Sequence, residues 1–389
     1  MTRRPEPSSD PSQPAADEAA ARDAADAELA RLRAEIDRVD RALLEQLNAR
    51  ARLVQEVGQL KQRAGRPVYS AARERDLLAA LRAANPGPLA DDVVETIFRT
   101  IVSATRQLER RLRVAYLGPE GTFAHEAARR AFGPFVDLVP VSPIAAIFTA
   151  VERGEADHGV APVENTTQGV VTETLDTLVT SEVALCGELL LRVSYQLLSR
   201  SGRLEDVRRV ASHPQGLAQC RNWLERHLPG VERIETSSTA AAARLAAEDD
   251  AVAAVASAVA GESCGLVPVA RAIEDRHDNT TRFLVLGREP VARSGVDLTS
   301  VVFTVRKAEP GALHRLLEPF ARHGVNLTSI QSRPMPGKPF EYLFFLDLEG
   351  HRDDAPVRAA LDEAAACAHS HRVLGSFPRA AAATGGSAA

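Results

Sequence analysis

Lysine is almost missing from this chain: of 47 Lys and Arg residues, only Lys61, Lys307 and Lys338 are lysine. Base composition accounts for that bias over the whole sequence, yet it makes a lysine kept on an apolar-striped helix conspicuous. Cysteine is sparse too. Cys186, Cys220, Cys264 and Cys367 lie far apart with no Cys-x-x-Cys or Cys/His spacing, which excludes a disulfide framework and a zinc site of ordinary ligand spacing. Nowhere do about 18 apolar residues run together, and Arg3-Arg4 is not followed by an apolar stretch. Neither a membrane span nor a secretion signal is expected, and with reduced thiols the expectation is a cytoplasmic protein. There is also no surplus of positive charge: a net charge of −5 argues against nucleic acid as a partner.

What is present is enough apolar material, 45% of 389 residues, for two or three full cores. Residues 1–26 are rich in Pro, Ser, Ala and Asp and read as a disordered tail. From Ala27 the pattern changes: Leu29, Leu32, Ile36, Val39, Leu43, Leu47, Val54, Val57 and Leu60 recur at three- and four-residue steps, predicting one long amphipathic helix to about Arg63. Gly65-Arg66-Pro67 stops it; a second helix is expected over 71–83, and a third from about Leu89 to Arg111. Residues 27–112 thus read as an all-helical unit. Over 29–113 it carries 17 basic against 11 acidic residues, a local balance of 17 − 11 = +6 suited to an anion.

A first helix of that length cannot bury its stripe on two shorter helices, which predicts a homodimer or larger assembly. Arg50 and Lys61 are about three turns, or about 16 Å, apart on one face, where long side chains can converge on a small anion. Arg33 lies about 25 Å from Arg50 along the axis and roughly 100° around it, so it serves the same small ligand only from a partner chain.

From Arg113 the alternation switches to strand and helix. Val114–Leu117 reads as a strand running into Gly118-Pro119-Glu120-Gly121-Thr122 and a helix near Phe123; Ala156–Val163 as a strand before a helix near Gln168; Val252–Ala256 as a strand before Ser257. A polar cluster, Asp275 to Phe283, opens the strand Thr281–Leu286, where α/β proteins commonly place a ligand. Chain crossings near 190 and 265 imply two α/β lobes with a cleft over 113–290. Thr122, Asn165-Thr166 and Ser238-Thr239 are placed at helix starts, where free N–H groups can seat an anion. His213 and Glu164 read as structural caps. Residues 298–378 follow the order βαββαβ, and 379–389 read as a second tail.

Four blocks in order, Gly118-Pro119-Glu120-Gly121-Thr122-Phe123, Pro162-Val163-Glu164-Asn165-Thr166, His213-Pro214-Gln215-Gly216 and Thr281-Arg282-Phe283, resemble the signatures of prephenate dehydratases. The helical unit resembles the all-helical chorismate mutases, and 298–378 resembles an ACT domain, so nearly all of 29–378 resembles the bifunctional chorismate mutase–prephenate dehydratases. That resemblance implies an all-α mutase domain, a dehydratase domain similar to type II periplasmic-binding-protein lobes, and a βαββαβ regulatory domain, working without metal or organic cofactor. It puts Arg50, the partner's Arg33 and Arg73 on the carboxylates of chorismate, Lys61 and Gln107 on its ether oxygen, and Glu74 and Ser103 on its hydroxyl and a carboxylate. Ser70 stands where relatives often have Asp. For prephenate it implies Asn165, Gln215, Ser238, Thr239, Thr280, Arg282 and Phe283, with Thr281 nearest the chemistry; Arg282 either holds a carboxylate or braces the loop through Asp275. Gly311, Ala312, Leu313 and Gln331, Ser332, Arg333, Pro334 resemble the two phenylalanine-binding blocks, with Gln331 where the family usually has Glu. Two alternatives stay open at this point: arogenate in place of prephenate, and a non-catalytic sensor of aromatic metabolites.

Overall fold

A computed structural model of the chain describes residues 13–63, 71–108, 111–305, 310–335 and 342–380. It divides into two compact units, 1–66 and 67–389. The first contains one helix, α1 (Gln13–Arg63), unbroken over 51 residues. It starts fourteen residues before the expected Ala27 and takes in half of the segment read as a disordered tail. Alanine dominates that stretch, and alanine favours helix without any apolar stripe to advertise it. The stripe further along α1 is uncovered: Ile36, Leu43, Leu44 and Leu60 are 59, 55, 59 and 62% exposed.

The second unit opens with α2 (Ala71–Ala83) and α3 (Asp91–Arg106), packed against each other and tied by Glu74 to Arg106 at 2.5 Å and Arg82 to Glu95 at 2.5 Å. Asn85 closes the turn between them, donating to Leu89 O and Asp91 Oδ1. Helix α3 is shorter than the expected 89–111 at both ends. Ser70 lies outside the described residues.

Two α/β lobes follow. The first is built from β1 (Arg113–Leu117), α4 (Phe123–Phe132), β2 (Asp137–Val141), α5 (Ile144–Glu152), β3 (His158–Asn165), β4 (Gly169–Val170), α6 (Thr172–Thr180) and β5 (Ala184–Arg192). The chain then crosses to the second lobe: β6 (Gln196–Ser199), β7 (Arg209–Ser212), α7 (Pro214–Gln219), α8 (Arg221–His227), β8 (Glu232–Glu235), α9 (Thr239–Glu248), β9 (Val252–Ala256), α10 (Ala258–Cys264) and β10 (Val267–Ala270). It returns through 271–279, slightly later than expected, as β11 (Thr280–Gly287), which inserts between β3 and β5. The first sheet has the order β2-β1-β3-β11-β5 and the second β10-β6-β9-β7-β8. Both are mixed: β1, β2 and β3 run parallel while β11 is antiparallel to β3 and β5. Strand β9, Val-Ala-Ala-Val-Ala, is buried throughout, and the small residues Ala242, Ala243 and Ala246 let α9 lie close upon it.

The third layer comprises β12 (Asp297–Thr304), α11 (Ala312–Arg322), β13 (Leu327–Pro334), β14 (Tyr342–Glu349), α12 (Ala355–Cys367) and β15 (Ser370–Pro378), the expected βαββαβ order, in a sheet β13-β14-β12-β15. Both helices cover one face through Leu316, Phe320, Val357 and Leu361 on Val301, Phe303, Leu346 and Leu348. Its other face shares a core with the first lobe, where Leu298, Val302, Phe345 and Phe377 meet Leu175, Leu178, Leu185 and Leu284. Gly375 has no room for a side chain, since a Cβ there would lie 2.3 Å from Leu185 O. The expected tail from 379 is bound at its start, with Arg379 Nη1 2.6 Å from Glu349 and Ala380 N donating to Glu188 Oε1 at 2.9 Å.

His158, where β3 begins, is half-buried beside Phe132, its Nδ1 3.2 Å from Leu286 O. Burial, opposed by that hydrogen bond, lowers its pKa to about 4. The folded state therefore refuses a proton that the unfolded chain accepts below about 6.5, and stability falls as pH drops from 6.5 to 4, by ~3 kcal/mol across the window. Denaturant midpoints measured over that range should decline in the natural protein and decline less in His158→Gln, whose amide can still donate to Leu286 O. Equal declines would contradict this origin.

Candidate active site

The antiparallel register sets Thr281 of β11 directly opposite Asn165 at the end of β3. Asn165 is 7% exposed, and its amide is fully committed. Oδ1 accepts from the backbone N–H groups of Thr167 and Gln168 at 2.9 and 3.0 Å. Backbone N–H groups can only donate, so they fix which end of the amide is oxygen. Nδ2 then donates to Asn279 Oδ1 at 2.8 Å and to Thr281 Oγ1 at 2.8 Å. Thr281 Oγ1 is thereby an acceptor toward the protein, and its own proton is left to donate elsewhere. Asn279, 4% exposed, passes the chain on by donating to Gln219 Oε1 of α7 at 3.2 Å.

Asn165 was expected at a helix start. The structure corrects this: Asn165 to Gln168 form the turn of a β3–β4 hairpin, and α6 begins only at Thr172. Glu164 is likewise a strand residue and not a cap, paired with Arg282 in the ladder beside a register shift. Such a bulge re-aims side chains next to a site. Thr280 supports the same turn, its N–H donating to Thr166 Oγ1 at 3.0 Å and its hydroxyl to Asp278 O at 3.4 Å.

Three helix starts come in from the surrounding elements. Thr122 caps α4, accepting from His125 N at 3.3 Å, and His125 Nδ1 accepts from Gly121 N at 3.1 Å. That acceptor role needs a neutral ring, and burial, against the opposing pull of Glu120, lowers the His125 pKa below its ordinary value. Gly121 has φ +87°, a conformation that glycine adopts readily, and a Cβ there would touch Ala240 of α9 and Ala260 of α10 at 3.3 Å. Ser257 Oγ donates to Gly121 O at 3.1 Å, so the Gly118–Thr122 turn is where the two lobes meet. Ser238 caps α9, accepting from Ala241 N at 3.0 Å, and Thr239 behind it is buried. His213 caps α7, as expected, through Nδ1 and Gln215 N. Next to Gln215, Gly216 abuts Tyr195, which stands edge-on to Phe123 at 5.2 Å.

The other two members of the Thr-Arg-Phe block are engaged within the protein. Phe283 is 2% exposed and belongs to the core with Tyr116, Phe132 and Leu191; it is packing and not a ligand contact. Arg282 neither reaches Asp275 nor offers an open guanidinium. Its Nε lies 2.7 Å from Glu188 and its Nη1 2.6 Å from Asp347 of β14. Asp275 instead caps α8 through the N–H groups of Asn222 and Trp223. Glu188, Asp347 and Gln219 were missed in the sequence. Of these only Gln219, one helical turn after Gln215, carried a local signal.

Among the helices, α1 holds Arg33, exposed, and Arg50 and Lys61, both half-buried. Because α1 is continuous, the axial separation of about 25 Å between Arg33 and Arg50 stands. In the second unit, Arg73 is exposed and Gln107 half-buried directly after α3. Glu74 is held by Arg106, 7% exposed, another residue the sequence did not single out. Ser103 is 1% exposed, donating to Phe132 O at 3.1 Å and accepting from Phe135 N at 3.3 Å. Its hydroxyl serves the packing of α3 on that loop.

In the third layer Gly311, φ +75°, caps α11 ahead of Ala312 and Leu313 on the helical face of the sheet. Gln331 faces the first lobe, and Arg333 pairs with Asp176 of α6 at 2.7 Å. The alternation of β13 puts Ser332 and Pro334, both exposed, on the other side. The first expected effector block thus lies on the helical face, while the second is divided between the two faces.

Comparison with known proteins finds three family models along the chain: chorismate mutase type II over 32–110, prephenate dehydratase over 114–291 and ACT domain over 299–366. A bifunctional chorismate mutase/prephenate dehydratase of Aquifex aeolicus is 44% identical over 91% of this chain and 98% of its own length. A solved prephenate dehydratase from Arthrobacter aurescens, described in complex with L-Phe, superposes with TM-score 0.63 and 36% identity over 69% of this chain and 90% of that one. A structure described as a novel type of quorum-quenching acylase does so with the same TM-score and 32% identity, over 69% and 98%.

Proposed function

Since the chain belongs to the family of bifunctional chorismate mutase/prephenate dehydratases, we propose that it converts chorismate to prephenate and prephenate to phenylpyruvate under feedback by phenylalanine. A shared fold would not carry that reading, because one fold hosts many activities. The observation that carries it is the Asn165–Thr281 pair, whose polarity leaves a hydroxyl proton free at the mouth of β11.

Prephenate becomes phenylpyruvate when the bond to its ring carboxylate breaks and the ring hydroxyl departs, the released electron pair completing the aromatic ring. Charge builds on the departing oxygen. Thr281, with Asn165 feeding its lone pair, donates to that oxygen, and a fixed donor there stabilises the transition state without reorganising. The N-termini of α4 and α9 suit the two carboxylates. In the mutase, a Claisen rearrangement needs no base or nucleophile, only a cage for the diaxial dianion. Arg50 and Lys61 of one protomer and Arg33 of another supply its charges.

The protein works in the cytoplasm as a homodimer or larger. The uncovered stripe of α1 supports the assembly, because exposed apolar stripes mark association surfaces. The phenylalanine pocket follows the same logic: a block divided between the two faces of its sheet is completed by a second copy. The mutase arrangement has a direct test. Mixing Arg33→Ala with Arg50→Ala protein, each inactive as a mutase, restores activity after subunit exchange, since one hybrid site keeps both arginines. No recovery would mean each protomer builds its own site. Turnover of chorismate to phenylpyruvate by the natural chain tests both halves together.

A further inference from the structure

Resting on the feedback reading above, we propose that Arg282 is the positioning residue through which the regulatory layer acts on Thr281, with Asp347 as its movable partner. Adjacent residues of a strand point to opposite faces. Thr281 shares one face of β11 with the core residue Phe283, and Arg282 shares the other with Leu284, against the regulatory sheet. The guanidinium is clamped from both sides: Glu188 of β5 at 2.7 Å belongs to the lobe, Asp347 of β14 at 2.6 Å to the regulatory layer. Both carboxylates are themselves held by regulatory-layer groups, Glu188 by Ala380 N and Asp347 by the Ser300 hydroxyl.

Two features give this clamp a second arrangement. Arg282 Nη2 is buried without a hydrogen-bond partner. Beside it lies a cavity of about 30 Å³, lined by Glu164, Leu284, Ser329, Gln331 and Phe345 among others, large enough for one or two waters or a shifted side chain. Gln331 of β13 pairs with Phe345 of β14, two residues from Asp347. A ligand that moves β13 therefore moves β14, and Asp347 either follows Arg282 or releases it. Arg282 is rigidly joined to Thr281, so release changes where the Thr281 hydroxyl points. Coupling between sites is the differential stability of two such arrangements.

Asp347→Asn in the full chain keeps the shape and the Ser300 contact and removes the charge. Without phenylalanine, prephenate turnover should stay within about threefold of the natural protein. Phenylalanine should still bind, measured by calorimetry, while the concentration for half-inhibition rises at least about fivefold, the low end of typical allosteric couplings. Binding with lost inhibition is a result that a merely structural Asp347 would not give. Should Asp347→Asn fail to fold, Ser300→Ala, which only loosens Asp347, should raise the half-inhibition concentration about threefold on the same scale of coupling. Unchanged inhibition in the folded variant would overturn the proposal. Natural protein that binds no phenylalanine would overturn the feedback reading itself and the relay with it.

Discussion

Asn165→Asp should lower prephenate turnover about 10²–10³-fold, the usual loss when one preorganised donor at a developing oxyanion is removed, and leave chorismate consumption unchanged. A carboxylate at this position still accepts from Thr167 N and Gln168 N, so the hairpin turn survives. Toward Thr281 the polarity inverts: an ionised carboxylate has no proton to give, so it takes the one on the Thr281 hydroxyl. The catalytic donor is then aimed at the protein, and Asn279 Oδ1 loses its partner as well. Thr281→Ser, which keeps the hydroxyl, should retain most of the activity, whereas Thr281→Ala should fall as far as Asn165→Asp. Steady-state rates on prephenate check the set. Turnover of Asn165→Asp within about threefold of the natural protein would mean that the hydroxyl proton is not what the site uses.

The second large effect concerns Lys61. On the proposed reading, Lys61→Ala takes an ammonium from the ether oxygen that gains charge as the rearrangement proceeds, and mutase turnover should drop about 10²–10³-fold for the same physical reason. Added prephenate should be dehydrated at the natural rate, since the Asn165–Thr281 pair is made wholly from other elements. Measured separately, the two activities should therefore respond to Lys61→Ala and Asn165→Asp in opposite fashion. Mutase turnover of Lys61→Ala within a factor of a few would show that the helical site lies elsewhere.

Helix starts were legible because capping is a local code: Thr122, Ser238 and Ser257 each accept from the N–H three residues on. The βαββαβ order was legible for a similar reason, each element carrying its own periodicity and its own turn residues. Asn165 misled because Asn-Thr-Thr-Gln reads as a cap, while the two residues of β4 are too few to show alternation. What makes the site is long-range. Asn165 and Thr281 are 116 residues apart, joined by a register that only β11 inserting between β3 and β5 creates. Arg282 and its partners Glu188 and Asp347 are 94 and 65 residues apart, so nothing local to the Thr-Arg-Phe motif shows that its arginine is clamped between two domains while its phenylalanine is a core aromatic. The N-terminal part of α1 was missed for the opposite reason: alanine propensity builds helix there with no pattern to detect.

The central claim is that one chain carries two consecutive reactions at separate sites. Product analysis over time, with chorismate as the only substrate, tests it most directly. Natural protein should release phenylpyruvate and carbon dioxide in equal amounts, with prephenate rising and falling between; the Thr281→Ala chain should stop at prephenate, one for each chorismate consumed. Chorismate left intact by the natural protein, or phenylpyruvate still formed at the natural rate by Thr281→Ala, would contradict the account.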